Sequence, residues 1–552
     1  MDAMKNSVRK LVSLSLAACT ALTMSVTAFA DEPYESYNYD NWDEAIPSQS
    51  GYTVQKTVNG TDMGLDRLSD PADELYFSEN ASVSLNEAKD VFVYNDSEIW
   101  VADTGNNRIL RLDTDYNITG RYYYVTGESE SGAAKSPDGT GTAFNSPQGL
   151  YVTKSPSTGL ETIYIADYEN SRVVRASVSG PTELTLEKEF LRPEESLYNS
   201  TTYNPTKVIA DGAENVYVIV KSVNTGSVQF SPDGEFMGYY GANRVEVTAK
   251  VIAQRFWRKI ASNEQIRGMQ RNVPIEYVNF DIDNEGFIYT VTEAPVNTDA
   301  VKKINAAGYN IWNNALGDDY VFGDHTEAVW DMATNKTYAT RLTDIAVNEQ
   351  GIINVLDFET GRVFQYDKLC NLICIFGTKT SNADQKGAFT SPNAVETIGD
   401  TVIVLEGSKS RNDLTVFERT VFGEDLHKAF SYFDEGLYVE AVPYWNEVIK
   451  RDGGYTYAHV GLGKADLKNH EYKSAMKRFK IANDKKDYDK AFEYYREEWL
   501  QSHFTGIAVV ILILFLLWIV KSVMRRRGRR FRDLFGGNRK NKREEGSDGL
   551  NV

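Results

Sequence analysis

Cysteine is almost missing, with three residues in a chain of 552, and that excludes a small disulfide-stapled scaffold. Histidine is nearly as scarce at five. Only His325 falls between residues 51 and 420, so a metal site built from several imidazoles lacks its material there, and a Ser-His-Asp triad would depend on that one base with no Gly-x-Ser-x-Gly elbow beside it. Positive charge is also short: 59 Lys and Arg stand against 78 Asp and Glu, for a net charge of -19. A nucleic-acid binder needs a basic face, so that class is set aside. What is present is an ordinary globular composition, 42% hydrophobic and 25% charged, with tyrosine abundant at 33. At roughly 150 residues per domain this length holds several units, or one large propeller or barrel with additions.

The charge is unevenly placed. Residues 1–30 carry Lys5, Arg9 and Lys10 against Asp2, and residues 521–552 carry a net charge of +7, which leaves -28 for the stretch between. The first 30 residues have a basic start, an apolar run from Leu11 to Val26 and Ala28-Phe29-Ala30 before Asp31. That order predicts a secretory signal cleaved after Ala30. Leu16-Ala17-Ala18-Cys19 also fits a lipoprotein box, which leaves Cys19 lipidation open. A second apolar run, Phe504 to Met524, is long enough at about 20 residues to cross a bilayer, with Trp518 at interface depth and Lys521 able to snorkel. The basic residues from Arg525 onward place that side in the cytoplasm under the positive-inside rule. The expected topology is a single-pass protein of the cell membrane, with its acidic body outside and residues 525–552 as a short cytoplasmic tail. Cys370 and Cys374, four apart on one strand, would stand about 13 Å from each other, too far for a disulfide, and read as buried free thiols.

The acidic body repeats itself. A short apolar strand, a turn and a second β-branched or aromatic strand recur as Val91 to Asp103, Pro147 to Asp167, Pro205 to Val218, Tyr277 to Thr290, Leu342 to Asp357 and Pro392 to Leu405. Third strands follow in several copies, as in Asn107 to Leu112, Ser171 to Arg175 and Gly361 to Tyr366. Six four-stranded blades cannot bury both faces singly and are predicted to stack radially as a six-bladed β-propeller over residues 51–420. Tyr52 to Val58 is expected to close the ring as the outer strand of the last blade. A Tyr-rich leader fills residues 31–50. Asp281-Ile-Asp-Asn-Glu-Gly286 imitates part of a calcium loop but lacks the distal Glu, and is read as a hairpin turn.

Trp100-Val-Ala-Asp-Thr-Gly-Asn-Asn-Arg-Ile109 resembles the NHL repeat, and Ile163 to Val173 is a second match; Asp357 to Val363 is a degraded one. The ensemble is similar to bacterial membrane-anchored NHL proteins, a group commonly labelled gluconolactonase-like. Asp103, Asn106, Asn107 and Arg108, with Asp167, Asn170 and Arg172 in the next copy, are read as structural turn residues, because Asp and Asn bond turn backbone and Arg pairs the neighbouring Asp.

Residues 247–271 show helical spacing, and with Glu246 just ahead of them carry a net charge of +4. They are expected to form an inserted helix whose Arg255, Arg258 and Lys259 face solvent or meet an anionic partner. From Gly423 the alternating pattern gives way to helical periodicity. Gly436 to Trp445 aligns with His470 to Phe479 at an offset of 34 residues, the tetratricopeptide period, and residues 424–502 therefore read as TPR-like helices. The last of them, Tyr488 to Ser502, is separated from the span by His503 alone and is expected to run into it.

The chain thus reads as a binding or scaffold protein rather than an enzyme, with no cofactor, no nucleic acid, and a protein or carbohydrate partner outside the cell, in a role tied to carbohydrate handling or uptake. The competing class is a calcium-dependent gluconolactonase-like hydrolase. For it, Asp73, Glu276, Asn279, Asp344 and Asn393 are candidate oxygen ligands near the inner strands, and Glu276 and Asp344 are also the candidates for ligand binding in the channel.

Overall fold

The computed structural model describes residues 34–526 except 41, 199, 242–275, 294–299, 313–319, 326–328, 332–335 and 381–384. The proposed signal segment, the basic insertion with Arg255, Arg258 and Lys259, and most of the basic tail lie outside the described residues.

The chain is mainly β and forms a six-bladed propeller followed by five helices. Blade one is built from Asp90–Tyr94, Glu98–Asp103, Arg108–Leu112 and Ile118–Tyr122. Blades two, three and five repeat that antiparallel order from innermost strands Pro147–Lys154, Pro205–Ala210 and Leu342–Val347. Blade four, starting at Tyr277–Ile282, has three strands among the described residues. Blade six is composite. Pro392–Ile398, Thr401–Gly407 and Asn412–Arg419 take Tyr52–Val58 as their fourth strand, with Tyr52 opposite Arg419 and Val58 opposite Leu414. The innermost strands touch in cyclic order, and the sixth returns to the first.

The core lies between blades. Trp100 and Tyr122 of blade one pack with Leu150, Ile163 and Val174 of blade two, and Ile403, Leu405 and Leu414 of blade six pack with Val91, Ile99 and Leu110 of blade one. Because a second strand is covered on both faces, it reads as a continuous apolar run: all five residues of Val216–Val220 are buried. Turns between strands are tied by one side chain reaching two and four residues ahead. Asp211 Oδ1 accepts from the amides of Ala213 and Asn215, both at 2.9 Å. Asp283 Oδ1 accepts from Glu285 and Phe287 at 3.0 and 2.9 Å, which makes 283–286 a hairpin turn.

The helices are α1 (Val421–Asp434), α2 (Tyr438–Arg451), α3 (Thr456–Lys468), α4 (Tyr472–Ile481) and α5 (Lys485–Arg526). The first begins at Val421, three residues ahead of the expected start at position 424, because the Thr420 side chain accepts from the Gly423 amide at 3.0 Å and caps it. The chain divides into two compact units at Gly461. In the first, α1 docks on blades five and six: buried His427 Nε2 stands 2.7 Å from Gln365 Oε1, and Gln365 Nε2 donates to Tyr52 Oη at 3.1 Å. In the second, α5 runs unbroken for 42 residues through the expected stalk and the expected span, and is long and apolar enough to cross a membrane. Cys370 and Cys374 are both free; Cys374 is buried on a strand, while Cys370 is half-buried in the preceding turn.

Candidate functional site

The six innermost strands line a central channel, and a shared irregularity shapes one of its ends. Five of them slip register at the same place: between Pro147 and Gly149, Pro205 and Lys207, Tyr277 and Asn279, Leu342 and Asp344, and Pro392 and Ala394. A β-bulge re-aims a side chain. Here the extra residues are Gln148, Thr206, Val278, Thr343 and Asn393, and all five rim one cavity of about 770 Å³, with Lys89 in the corresponding place of blade one. Lys207, Lys221, Asn224, Glu276, Glu293, Arg341 and Phe358 also line it, with Ile219, Tyr277 and Pro392 between them. A volume of this size lies within the range of small-molecule sites.

Beyond the bulges the strands alternate with period two. By register, the first ring is Asp90, Gly149, Lys207, Asn279, Asp344 and Ala394, and the second is Phe92, Tyr151, Ile209, Asp281, Ala346 and Glu396. These rings form a narrow waist. Lys207 Nζ lies 2.5 Å from Asp90 Oδ1 and 3.7 Å from Asp344 Oδ1. The other carboxylate oxygens stitch adjacent blades. Asp90 Oδ2 accepts from the Leu150 amide at 2.7 Å, Asp281 Oδ2 from Val347 at 2.7 Å, and Asp344 Oδ2 from Val395 at 2.6 Å. In blade two the first-ring position is glycine because a Cβ there would lie 2.5 Å from the Thr206 carbonyl oxygen.

The waist crowds four carboxyl groups around one ammonium, and burial dominates their protonation. Burial pushes the Asp344 carboxyl up to about 7, with Lys207 opposing and Asp90 adding. Asp281 rises to about 6, again through burial, despite the Val347 and Ile282 amides. Glu396 is driven well above the usual carboxylate range by burial and then by Asp281. For Lys207 burial works against the charge, but Asp90 and Asp344 outweigh it and the ammonium is held.

The two ends of the channel differ in sign. The bulge-rimmed mouth has Lys89, Lys221 and Arg341 against Glu276 and Glu293. The opposite mouth, about 440 Å³, has Asp96, Asp281, Glu349, Glu396 and Asp400 and no basic residue in its wall among the described residues.

Of the residues singled out in the sequence, Glu276 and Asn393 rim the basic mouth, and Asn279 and Asp344 belong to the first ring. Asp73 is not in the channel wall; it pairs with Arg67 at 2.8 Å. The five do not converge, and among the described residues no three His, Cys, Asp or Glu side chains are placed to hold a metal ion. Asp103 and Arg108 form a 2.6 Å ion pair with both side chains fully buried, Asn106 donates to Asp103 at 2.8 Å, and Asn107 at φ 53 accepts from the Ser146 amide. Asp167, Asn170 and Arg172 repeat the arrangement, with Arg172 also 2.6 Å from Glu189. In blade five Arg362 pairs instead with Asp324, at 2.8 Å.

Lys89, Asp90, Lys207, Lys221, Arg341 and Glu396 were not singled out in the sequence. One signal was available: Pro147-Gln148, Pro205-Thr206 and Pro392-Asn393 each put a polar residue directly after the proline that opens an innermost strand.

No family model matches the chain, and no curated protein matches it in sequence. Solved structures similar in fold include a streptogramin B lyase (13% identity, 61% of this chain and 94% of that one, TM-score 0.35). The PQQ-bound aldose sugar dehydrogenase of Streptomyces coelicolor is similar at 12% identity, over 68% of this chain and 99% of that one, with a TM-score of 0.35. The WD40 β-propeller domain of Doa1 is similar at 10% identity over 68% and 99% of the two chains, also with a TM-score of 0.35.

Proposed function

We propose that this chain is a membrane-anchored, extracytoplasmic binding protein of NHL-like type whose propeller takes a polar ligand in its bulge-rimmed mouth. In this reading the TPR-like helices and the first part of α5 are a spacer, and the apolar part of α5 is the anchor. One observation carries the assignment: five bulges in five blades turn their extra residues toward one cavity of about 770 Å³. A fold that needed the channel only as packing would have no use for a repeated departure from ladder geometry at one end. The waist supports binding over calcium-dependent hydrolysis. The ammonium of Lys207 lies between Asp90 and Asp344, so these carboxylates already have a cation of their own. Carbohydrate suits the mouth, because amides such as Gln148 and Asn224 offer both donors and acceptors to hydroxyl groups.

The test uses the full chain in detergent micelles, titrated calorimetrically with a set of monosaccharides and with calcium chloride, beside a Thr343→Trp variant that fills the mouth. Saturable sugar binding that Thr343→Trp removes is the expected result. Stoichiometric calcium binding accompanied by lactone hydrolysis would overturn the assignment, as would sugar binding indifferent to Thr343→Trp.

A further inference from the structure

We propose, building on the binding role assigned to the mouth, that its ligand is an anionic sugar: a hydroxylated ring carrying a carboxylate or a phosphate. The first ground is charge in context. The residues between the two basic ends carry -28, yet Lys89, Lys221 and Arg341 project from three different blades into one cavity. Lys207 adds nothing to this charge, since Asp90 and Asp344 neutralise it below, and Arg341 is met by Glu359 at 3.1 Å and Glu293 at 3.9 Å, so the excess rests on Lys89 and Lys221. The second ground is that part of this charge is under-used. Lys89 has no carboxylate within 4 Å among the described residues, and burial pushes its pKa down against the pull of Glu87. An arriving anion would restore what desolvation removes.

The third ground is independent of charge count. Arg341 Nε and Thr343 Oγ1 are buried, have no hydrogen-bond partner among the described residues, and belong to residues that both wall the cavity. Buried polar atoms in a native fold are nearly always satisfied, and ligand oxygens at this wall would answer two atoms that the described residues leave without a partner. The guanidinium is already held in place: it lies 4.2 Å from the centre of the Phe358 ring, and Nη2 is 3.1 Å from Glu359. A planar donor fixed in this way suits the flat oxygens of a carboxylate or the face of a phosphate. Glu276 and Glu293 leave acceptors for ring hydroxyls in blade four.

The experiment titrates the full chain in micelles with sodium glucuronate, glucose 6-phosphate and glucose at equal ionic strength. At least one of the two anions should bind about tenfold tighter than glucose, as charge-assisted hydrogen bonds exceed neutral ones, and the stronger of the two identifies the anionic group. Lys221→Met, at an exposed position, and Lys89→Met should each cut that preference severalfold, and added salt should cut it too. Glucose binding as tightly as both anions would overturn the anionic assignment while leaving the mouth as the binding site. Binding of none of the three to folded protein, with no change on Thr343→Trp, would overturn both.

Discussion

Lys207 Nζ lies 2.5 Å from Asp90 Oδ1 although 117 residues separate them in the chain. The pair crosses from blade three to blade one, and Asp90 also holds the amide of Leu150 in blade two. One ion pair therefore joins three consecutive blades at the axis. Removing one member of a buried pair strands the other charge, at a cost of about 3–5 kcal/mol. Lys207→Met should lose stability of that order in chemical denaturation of the full chain in micelles. The double variant Lys207→Met/Asp90→Asn should recover much of it, because the amide oxygen can still accept from Leu150 without carrying charge. A single variant as stable as the parent would mean that the waist is not a stabilising centre.

The acids around that pair set a dependence on pH. Asp344 and Asp281 titrate near 7 and near 6 in the folded chain and near 4 when unfolded. The folded state therefore binds more protons across that interval, and the stability these groups contribute is complete below about 4 and lost as pH climbs toward 7. Glu396 acts in the same sense. Buried His427 acts oppositely: its depressed pKa gives stability above about 6.5 that is lost as pH falls. Glu396→Gln keeps an acceptor for the Thr397 amide and removes one ionisation. Its melting temperature should exceed the parent's at pH 8, by a margin that shrinks toward pH 5. A constant margin would detach Glu396 from the alkaline loss.

The two buried Asp–Arg corners give a graded prediction. Arg108 meets one carboxylate, Asp103, whereas Arg172 meets two, Asp167 at 2.8 Å and Glu189 at 2.6 Å. All four Arg and Asp side chains are fully buried. Each Arg→Met change should cost several kcal/mol, about 3–5 for a broken buried pair, with Arg172→Met the more damaging because it orphans two acids. Parallel urea melts would show the order, and equal losses would mean that Glu189 escapes to solvent.

How much of this the sequence disclosed depends on which interactions are local. The blades were legible because a strand covered on both faces is apolar throughout, as in Val216 to Val220, and because Asp ends several of them. The closing strand was legible because Tyr52 to Val58 has no other partner nearby in sequence and blade six lacks a fourth strand. Lys207 was not legible: it reads as an ordinary lysine, and only the bulge at Pro205 decides that it faces the axis opposite Asp90. Asp281 was read as part of a hairpin, but the turn belongs to Asp283 while Asp281, two residues earlier, enters the channel. The metal candidates fail to converge for the same reason. Residues on neighbouring inner strands meet only when their registers agree, and register across blades is not written in any local pattern.

The helical segment offers a case in which intrinsic propensity and packing predict opposite signs. Gly463 lies inside α3, and alanine there would ordinarily add up to about 1 kcal/mol of helix stability. A Cβ on Gly463, however, would stand 2.6 Å from Phe479 Cε1 and 2.9 Å from its Cδ1 and Cζ. Phe479 is itself fully buried. Overpacking of a rigid ring costs about 1–3 kcal/mol, which exceeds the propensity gain. Gly463→Ala should therefore lower the thermal midpoint of the helical signal in far-ultraviolet circular dichroism. Gly506→Ala, with open space around its Cβ, is the control in which no steric loss is expected. A Gly463→Ala variant that melts higher than the parent would mean that Phe479 yields, and that the 34-residue alignment of small and large positions does not govern the packing of this unit.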